Sequence, residues 1–124
     1  MYKNLVDVAK QIVEIANERE LKQEHGFFKI AVMDKKDYDD SKKLTEILMK
    51  LEYDEVMALQ AIMYLGRDQD YNSKLTKDEI FQNQKKYIET CGKAAKEIEV
   101  QQMVQKIPLG RYITDGYKIL GIEL

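Results

Sequence analysis

Residues 56–65, VMALQAIMYL, indicate how the whole chain is organised. The stretch is apolar nearly all round, and Gln60 is its one strongly polar residue. A helix that is apolar on every face belongs in the interior of a protein, with other elements packed around it. We therefore predict a central buried helix here. Gly66 follows directly and can end this helix in a left-handed conformation.

Amphipathic helices are predicted on both sides of this segment, because apolar residues recur there at helical spacing. Before it lie two such sets: Leu5, Val8, Ile12 and Ile15, then Leu44, Ile47, Leu48 and Leu51. After it lie two more: Ile80, Phe81, Gln84, Tyr87, Ile88 and Cys91, then Leu109, Tyr112, Ile113, Tyr117 and Leu120. A further helix is predicted for residues 93–106, with Pro108 in the first turn of the last helix.

These segments predict a single all-α domain over residues 1–124, built as a compact bundle of five to six helices. The chain is long enough to bury a core without disulfides or metals, and 44% of its residues are hydrophobic. The secondary structure of one segment is not decided by its sequence. FFKIAVM, residues 27–33, is apolar but too short to assign by periodicity, so it predicts either one short strand or a buried helical turn.

Composition and charge restrict the location and the partners. The formal net charge is −2, so no global attraction to nucleic acid or to an anionic membrane is expected. The single cysteine, Cys91, gives no sign of an oxidising compartment. The N-terminal residues lack the apolar region of a signal peptide, and no apolar run reaches the length of a membrane span. We therefore expect a cytoplasmic protein that does not enter a membrane.

Residues 68–79, DQDYNSKLTKDE, resemble the calcium-binding loop of an EF-hand. Such a loop takes its ligands from positions 1, 3, 5, 7, 9 and 12. Those positions hold Asp68, Asp70, Asn72, the Lys74 carbonyl, Thr76 and Glu79. Position 6, where glycine is expected, holds Ser73. The alternative prediction is therefore a single EF-hand-like protein that binds calcium in this loop.

The same loop has an explanation that needs no metal. Thr76 and Glu79 fit a capping box, in which each side chain accepts a hydrogen bond from a backbone N–H near the other residue. Leu75 and Ile80 occupy the flanking positions of a hydrophobic staple. Half of the calcium pattern is thus explained as the start of a helix, and we favour a capped interhelical turn with no cofactor.

The turn at residues 66–72 is the strongest candidate for a binding surface. Arg67 and Asp68 follow the central helix, and a guanidinium fork can grip a carboxylate or phosphate of a partner. Tyr64 and Tyr71 lie close by, and tyrosine is enriched at protein interfaces. We predict that these four residues contact another protein or a second copy of this chain in a homodimer. The alternative is that Arg67 pairs locally and caps the preceding helix.

Other reactive or charged residues give weaker signals. A Cys–His nucleophile from Cys91 and His25 is formally conceivable, but Cys91 falls on the apolar face of its helix and is expected to be a buried, inert thiol.

A basic cluster surrounds Gly92: Lys85, Lys86, Lys93 and Lys96. Glutamates alternate with these lysines and oppose phosphate binding. We expect a non-catalytic interaction or regulatory module that does not bind nucleic acid.

Two short motifs resemble those of a family of small bacterial proteins known only as a domain of unknown function. They are YDEVMALQAIMYLGRDQDY (53–71) and IPLGRYITDGYKILGI (107–122). The first resembles the family's apolar helix, which ends in a Gly-Arg-acidic turn. The second resembles its C-terminal segment, with an acidic-Gly pair before a closing apolar helix. This resemblance implies a helical fold and no reaction, and it singles out four positions: Gly66, Arg67, Asp68 and Gly116.

Overall fold

The structure is a computed structural model that describes residues 1–24 and 33–124, with side chains described for 1–21 and 39–124. A 3-10 turn, Tyr2–Leu5, precedes six α-helices in these ranges. The helices are α1 (Val6–Glu24), α2 (Met33–Met49), α3 (Tyr53–Asp68), α4 (Lys77–Thr90), α5 (Lys96–Val104) and α6 (Leu109–Ile119). The predicted all-α bundle is confirmed in the described residues. The strand considered at 27–33 lies outside them, apart from Met33, which begins α2.

The central helix of the bundle is α3, as its all-round apolar sequence predicts. Its buried residues are Val56, Met57, Ala58, Leu59, Gln60, Ala61, Ile62, Met63, Leu65 and Gly66. Among the described elements, the most extensive packing is between α3 and α6, and α4 and α5 also pack against α3. Full burial of a Leu, Ile or Met side chain stabilises a fold by about 1.5–3 kcal/mol. The apolar run of α3 therefore supplies a large share of the stability.

The buried apolar side chains form one cluster, to which the 3-10 turn and all six helices contribute. Helix α1 packs against both α6 and α2. Outside this cluster the helices carry many charged residues. In the described ranges, no helix combines the length and the apolar composition that a membrane span requires.

Gly66 does not end α3, contrary to the prediction from its sequence. The helix continues to Asp68, and Gln69 takes the left-handed conformation with φ of 53°. The Gln69 N–H then donates to the Leu65 carbonyl over 2.9 Å. Gly66 is instead buried against α6, where a methyl group would overlap the Tyr112 carbonyl oxygen. The close contact between α3 and α6, rather than a turn, therefore explains why residue 66 is a glycine.

The start of α4 matches the predicted capping box. The Thr76 hydroxyl accepts from the Glu79 N–H over 3.2 Å, and the Glu79 carboxylate accepts from the Thr76 N–H over 3.0 Å. Ile80, at the predicted staple position, is buried, and Leu75 is half-buried against the core. Local sequence therefore determines where α4 begins.

The C-terminal helices are close to their predicted positions. α5 is shorter than the predicted segment at each end, and Pro108 caps α6 rather than lying in its first turn. In the predicted stripe of α6, Tyr112 is half-buried and the remaining four residues are buried: Leu109, Ile113, Tyr117 and Leu120. This stripe packs on α3 and α1.

Arg19 is a buried basic residue that periodicity does not reveal, with only 2% of its surface exposed. Its guanidinium donates to the Val104 carbonyl over 2.8 Å and to the Lys106 carbonyl over 3.1 Å. The Val104 carbonyl lies at the C-terminal end of α5, where a cation is favoured by the helix dipole, and Lys106 lies just beyond that end. Arg19 on α1 thereby fixes the connection between α5 and α6.

Candidate functional site

The last turn of α3 presents a stacked cluster of three side chains, Tyr64, Arg67 and Asp68. The Arg67 Nε donates to Asp68 Oδ1 over 2.8 Å, and its Nη2 donates to Oδ2 over 3.3 Å. The guanidinium carbon lies 4.5 Å from the centre of the Tyr64 ring. Hydrogen bonding to Asp68 raises the pKa of Arg67. The local pairing considered for Arg67 is therefore present, and the stacked guanidinium stays partly exposed to solvent.

A cavity of about 550 Å³ opens beside this cluster, between α3, α4 and α5. Helices α4 and α5 each pack on α3 and leave the space between them open. The residues that line the cavity are Gln60, Tyr64, Arg67, Asp68, Gln84, Tyr87, Ile88, Cys91, Gly92, Lys93, Ala94, Glu99 and Gln102. Its volume lies within the range of ligand pockets, roughly 300–1,000 Å³.

Two smaller depressions continue this cavity along α4. One of about 340 Å³ is lined by Tyr64, Asp68, Asp70, Gln84 and Tyr87. The other, of about 140 Å³, includes Tyr71 and Asn72 from the loop before α4. Gln84 lines all three depressions. We call this elongated surface, from Ala94 at one end to Tyr71 at the other, the α4 groove.

The four predicted partner-binding residues all lie on the α4 groove. Tyr64, Arg67 and Asp68 line the main cavity together. Tyr71, which is 41% exposed, lies at the far depression and does not touch the main cavity. The structure thus brings three of the four together and places the fourth at the groove's end.

Tyr87 and Cys91 lie on the groove wall, whereas the sequence placed both on the buried face of α4. Tyr87 is 65% exposed, and Cys91 is exposed as well. The prediction of a buried thiol is wrong because α4 packs mainly on α3, which covers only a narrow stripe of α4. That stripe consists of Ile80, Phe81 and Ile88. A hydrogen bond with Cys91 raises the pKa of the Tyr87 hydroxyl.

The floor of the main cavity holds two buried polar side chains, Gln60 and Glu99, which are 2% and 4% exposed. The Gln60 Nε2 donates to Glu99 Oε2 over 2.8 Å, and the Ala94 N–H donates to Glu99 Oε1 over 3.1 Å. Sequence reasoning missed Glu99. The signal was Gln60, because a polar side chain inside a buried helix requires a buried partner.

The connection between α4 and α5 forms a fixed rim of the cavity. The Tyr53 hydroxyl donates to the Ala94 carbonyl over 2.7 Å, and the Lys96 Nζ donates to the Met49 carbonyl over 2.7 Å. Gly92 allows the turn, since its φ of 117° is unfavourable for residues with a Cβ. Because several long-range hydrogen bonds hold this rim, the cavity is shaped before any ligand arrives.

The six residues of the calcium prediction are distributed over a helix end, a turn and a cap. Asp68 pairs with Arg67. Asn72 Oδ1 accepts from the Lys74 N–H over 3.0 Å, which closes a local turn. Thr76 and Glu79 are bonded to each other in the capping box, and backbone hydrogen bonding at Thr76 lowers the pKa of Glu79. Each of these groups therefore has a protein partner of its own.

A metal site also requires converging acidic, His or Cys ligands. In the described parts of the chain, no group of three or more such side chains is placed to hold a metal ion. Asp70, the remaining acid of the loop, lines the α4 groove. Calcium binding by residues 68–79 stays a prediction, which the capped turn does not require.

Two of the four lysines around Gly92 form ion pairs with neighbouring acids. Lys85 lies between Asp54 and Glu89, with its Nζ 2.6 and 2.7 Å from their carboxylate oxygens. Lys93 Nζ is 3.7 Å from the same Glu89. Of the glutamates that alternate with these lysines in the sequence, Glu89 thus pairs with both Lys85 and Lys93 in the fold, which opposes binding of a phosphate there.

Comparison with known proteins gives no relative from which a function can be transferred. The resemblance of residues 53–122 to a domain of unknown function is not tested by it and stays a prediction. No protein-family model, no curated protein and no solved structure matches this chain.

Proposed function

We propose that the protein is a non-catalytic cytoplasmic interaction module whose α4 groove binds a segment of a partner protein. The observation that carries this proposal is the open groove with Tyr64, Arg67 and Tyr87 along it. Tyrosine and arginine dominate the binding energy of many interfaces, because they combine large contact areas with polar ends. Tyr87 leaves 65% of its surface in solvent, a large apolar area that a partner can cover.

The shape of the α4 groove favours an extended segment over a compact small molecule. The main cavity continues into two further depressions along α4, and all three share Gln84. A compact ligand of ordinary size fills one such cavity. A peptide segment instead places successive side chains in successive depressions.

The polar residues of the groove suit a peptide backbone. Gln84 is half-buried and Gln102 is exposed, and both line the main cavity. A glutamine amide both donates and accepts hydrogen bonds, so it can pair with either the N–H or the C=O of an extended chain. The Arg67–Asp68 pair adds a charged donor and a charged acceptor at the rim.

The segment comes either from another protein or from a second copy of this chain. A homodimer through the α4 groove predicts a solution mass of twice the 14.6 kDa of one chain. The substitution Tyr87→Ala then returns the mass to that of a monomer. If the wild-type protein is a monomer, the segment that binds the groove comes from a different protein.

Selection from a random peptide library on the immobilised protein tests the proposal without knowledge of the natural partner. We expect enriched peptides that bind the wild-type protein and lose about tenfold or more in affinity to Tyr87→Ala or Arg67→Ala. The matched control is Ile98→Ala, since Ile98 is 51% exposed on α5 and lines none of the three depressions. Equal binding to all variants, or no enrichment at all, contradicts the proposal.

A further inference from the structure

We propose that the α4 groove accepts a cationic side chain, a lysine or arginine of the bound segment, and that Glu99 is its counter-ion. This inference rests on the proposed function and adds the chemistry of the partner. It starts from the buried carboxylate on the floor of the main cavity, which is 4% exposed yet lines that cavity.

Glu99 has hydrogen-bond donors but no cationic partner in the described part of the chain. Its two oxygens accept from the Gln60 amide and from the Ala94 N–H, and both donors are neutral. Among the residues whose side chains the structure describes, no lysine or arginine forms an ion pair with Glu99.

The basic residues nearest to the cavity have other partners. Arg67 pairs with Asp68, Lys93 lies against Glu89, and Lys96 donates to the Met49 carbonyl. Glu99 therefore has no ion-pair partner within the described fold, although the other charged residues that line the cavity are paired.

Burying a carboxylate is costly unless the group is both hydrogen-bonded and paired with a cation. A carboxylate has about four acceptor positions, and the two neutral donors of Glu99 use one on each oxygen. An ammonium or guanidinium from the cavity side can occupy the remaining positions. The pairing would give Glu99 the ion-pair partner that it lacks among the described side chains.

The walls of the cavity suit the rest of such a side chain. Tyr64, Tyr87 and Ile88 line the cavity together with Glu99. The methylene stem of a lysine or arginine packs favourably on apolar and aromatic surface while its charged end reaches a polar group. A cation also gains from the face of a tyrosine ring, as Arg67 does on Tyr64.

The competing explanation is that Glu99 has only a structural role, tying the start of α5 to α3 through its two hydrogen bonds. That role predicts no preference for amines. An NMR titration separates the two explanations, with backbone amide shifts followed during addition of n-butylammonium chloride, n-butanol or sodium chloride. We expect n-butylammonium alone to shift the amides of Ala94, Glu99 and Tyr64. Equal shifts with n-butanol or with sodium chloride, or none, overturn the inference.

Two neighbouring substitutions on α5 give a matched pair that leaves Glu99 in place. Gln102 is one helical turn from Glu99 and lines the cavity, so Gln102→Lys supplies an internal cation at i, i+3. Gln101 is also exposed but does not line the cavity. We expect Gln102→Lys to weaken n-butylammonium binding about tenfold or more, and Gln101→Lys to bind as the wild type does. Equal weakening in the two variants overturns the inference.

The direct variant is Glu99→Gln, with Glu46→Gln as its control for the loss of one negative charge at an exposed site on α2. Glu99→Gln is expected to lose n-butylammonium binding about tenfold or more, because hydrogen bonds to charged groups contribute more than neutral ones. Unchanged binding by a folded Glu99→Gln protein overturns the inference. Should that variant unfold, the Gln102→Lys pair decides the question.

The peptide library separates failure of this inference from failure of the proposed function. In one outcome, the selected peptides depend on Tyr87 but have no excess of Lys and Arg, and they bind Gln102→Lys as well as the wild type. This result supports the proposed function and overturns the cation site. Amine binding that depends on Glu99, with no peptide selected, supports the cation site and overturns the peptide groove.

Discussion

Gly66 on α3 faces Gly116 on α6 so closely that a methyl group on Gly66 would lie 2.6 Å from the Gly116 nitrogen. The reverse also holds, because a methyl group on Gly116 would overlap the Ile62 carbonyl oxygen. This contact fixes the last turn of α3 against α6. The same turn carries Tyr64 and Arg67 on the wall of the α4 groove.

Replacing either of these glycines by alanine is expected to destabilise the fold by about 3 kcal/mol, since rigid helix backbones must separate to admit the methyl group. Gly110→Ala is the matched control within α6. There the nearest obstacle is the end of the exposed Asn17 side chain, which can move. Urea unfolding measures all three, and Gly110→Ala is expected to stay within about 1 kcal/mol of wild type. Equal stability of the three variants would show that the close contact does not exist.

The capping box at the start of α4 predicts a loss of about 1 kcal/mol for Thr76→Ala, because the Glu79 N–H loses its acceptor. Thr76→Ser keeps a hydroxyl at the same position and is expected to retain most of the stability. Urea unfolding of the two variants at neutral pH measures the difference. If serine proves as destabilising as alanine, the hydroxyl is not the cause.

The same box has a pH signature. Hydrogen bonding at Thr76 lowers the pKa of Glu79 from its ordinary value of 4.5. A lowered pKa in the folded state adds stability above the unfolded value, and this stability is lost as the pH falls through the folded value. Glu79→Gln is therefore expected to show a shallower loss of stability below pH 4.5 than the wild-type protein. Unfolding curves across the acid range check this, and parallel curves would refute it.

Tyr2 predicts a loss of stability in alkali. Burial and the hydrogen bond from its hydroxyl to Asp78 raise the pKa of Tyr2 from 10.0 to about 12. A raised pKa means stability that is present below pH 10 and is lost as the pH rises toward 12. Tyr2→Phe cannot ionise, so its stability is expected to fall less steeply over this range. The control is Tyr71→Phe, at an exposed loop residue, and a slope in Tyr2→Phe as steep as the control's would contradict the prediction.

Calcium is expected to leave the melting temperature unchanged at millimolar concentration. Four of the loop's six candidate ligands already have partners in the fold: Arg67 for Asp68, the Lys74 N–H for Asn72, and the capping box for Thr76 and Glu79. Thermal unfolding with calcium, with magnesium and with a chelator measures this. A rise in the melting temperature with calcium that disappears in Asp70→Asn would instead support the hypothesis of an EF-hand-like calcium site.

The parts of the fold that the sequence predicts are those with local causes. The all-round apolar segment 56–65 requires a buried helix, and Thr76 with Glu79 specifies the start of α4 through contacts three residues apart. The apolar stripe of α6 is likewise visible in its spacing. Each of these features depends on residues that are close together in the chain.

The parts that the sequence does not predict depend on pairs that are distant in the chain. From the sequence, Gly66 is predicted to end a helix, because its contact with Gly116 is visible only in the fold. Gln60 indicates a buried partner without naming Glu99, which is 39 residues away. Tyr87 lies on the apolar face of α4, but this face is broader than the surface that α3 buries, so Tyr87 stays exposed.

An amide shift map of the protein with a peptide selected from the library shows directly whether the α4 groove is the binding surface. We expect the largest shifts along the α4 groove, at residues 64–71, 84–94 and 99–102, with loss of these shifts in Tyr87→Ala and not in Ile98→Ala. Largest shifts on α1 and α2, with the groove unaffected, would contradict the claim that the α4 groove is the binding surface.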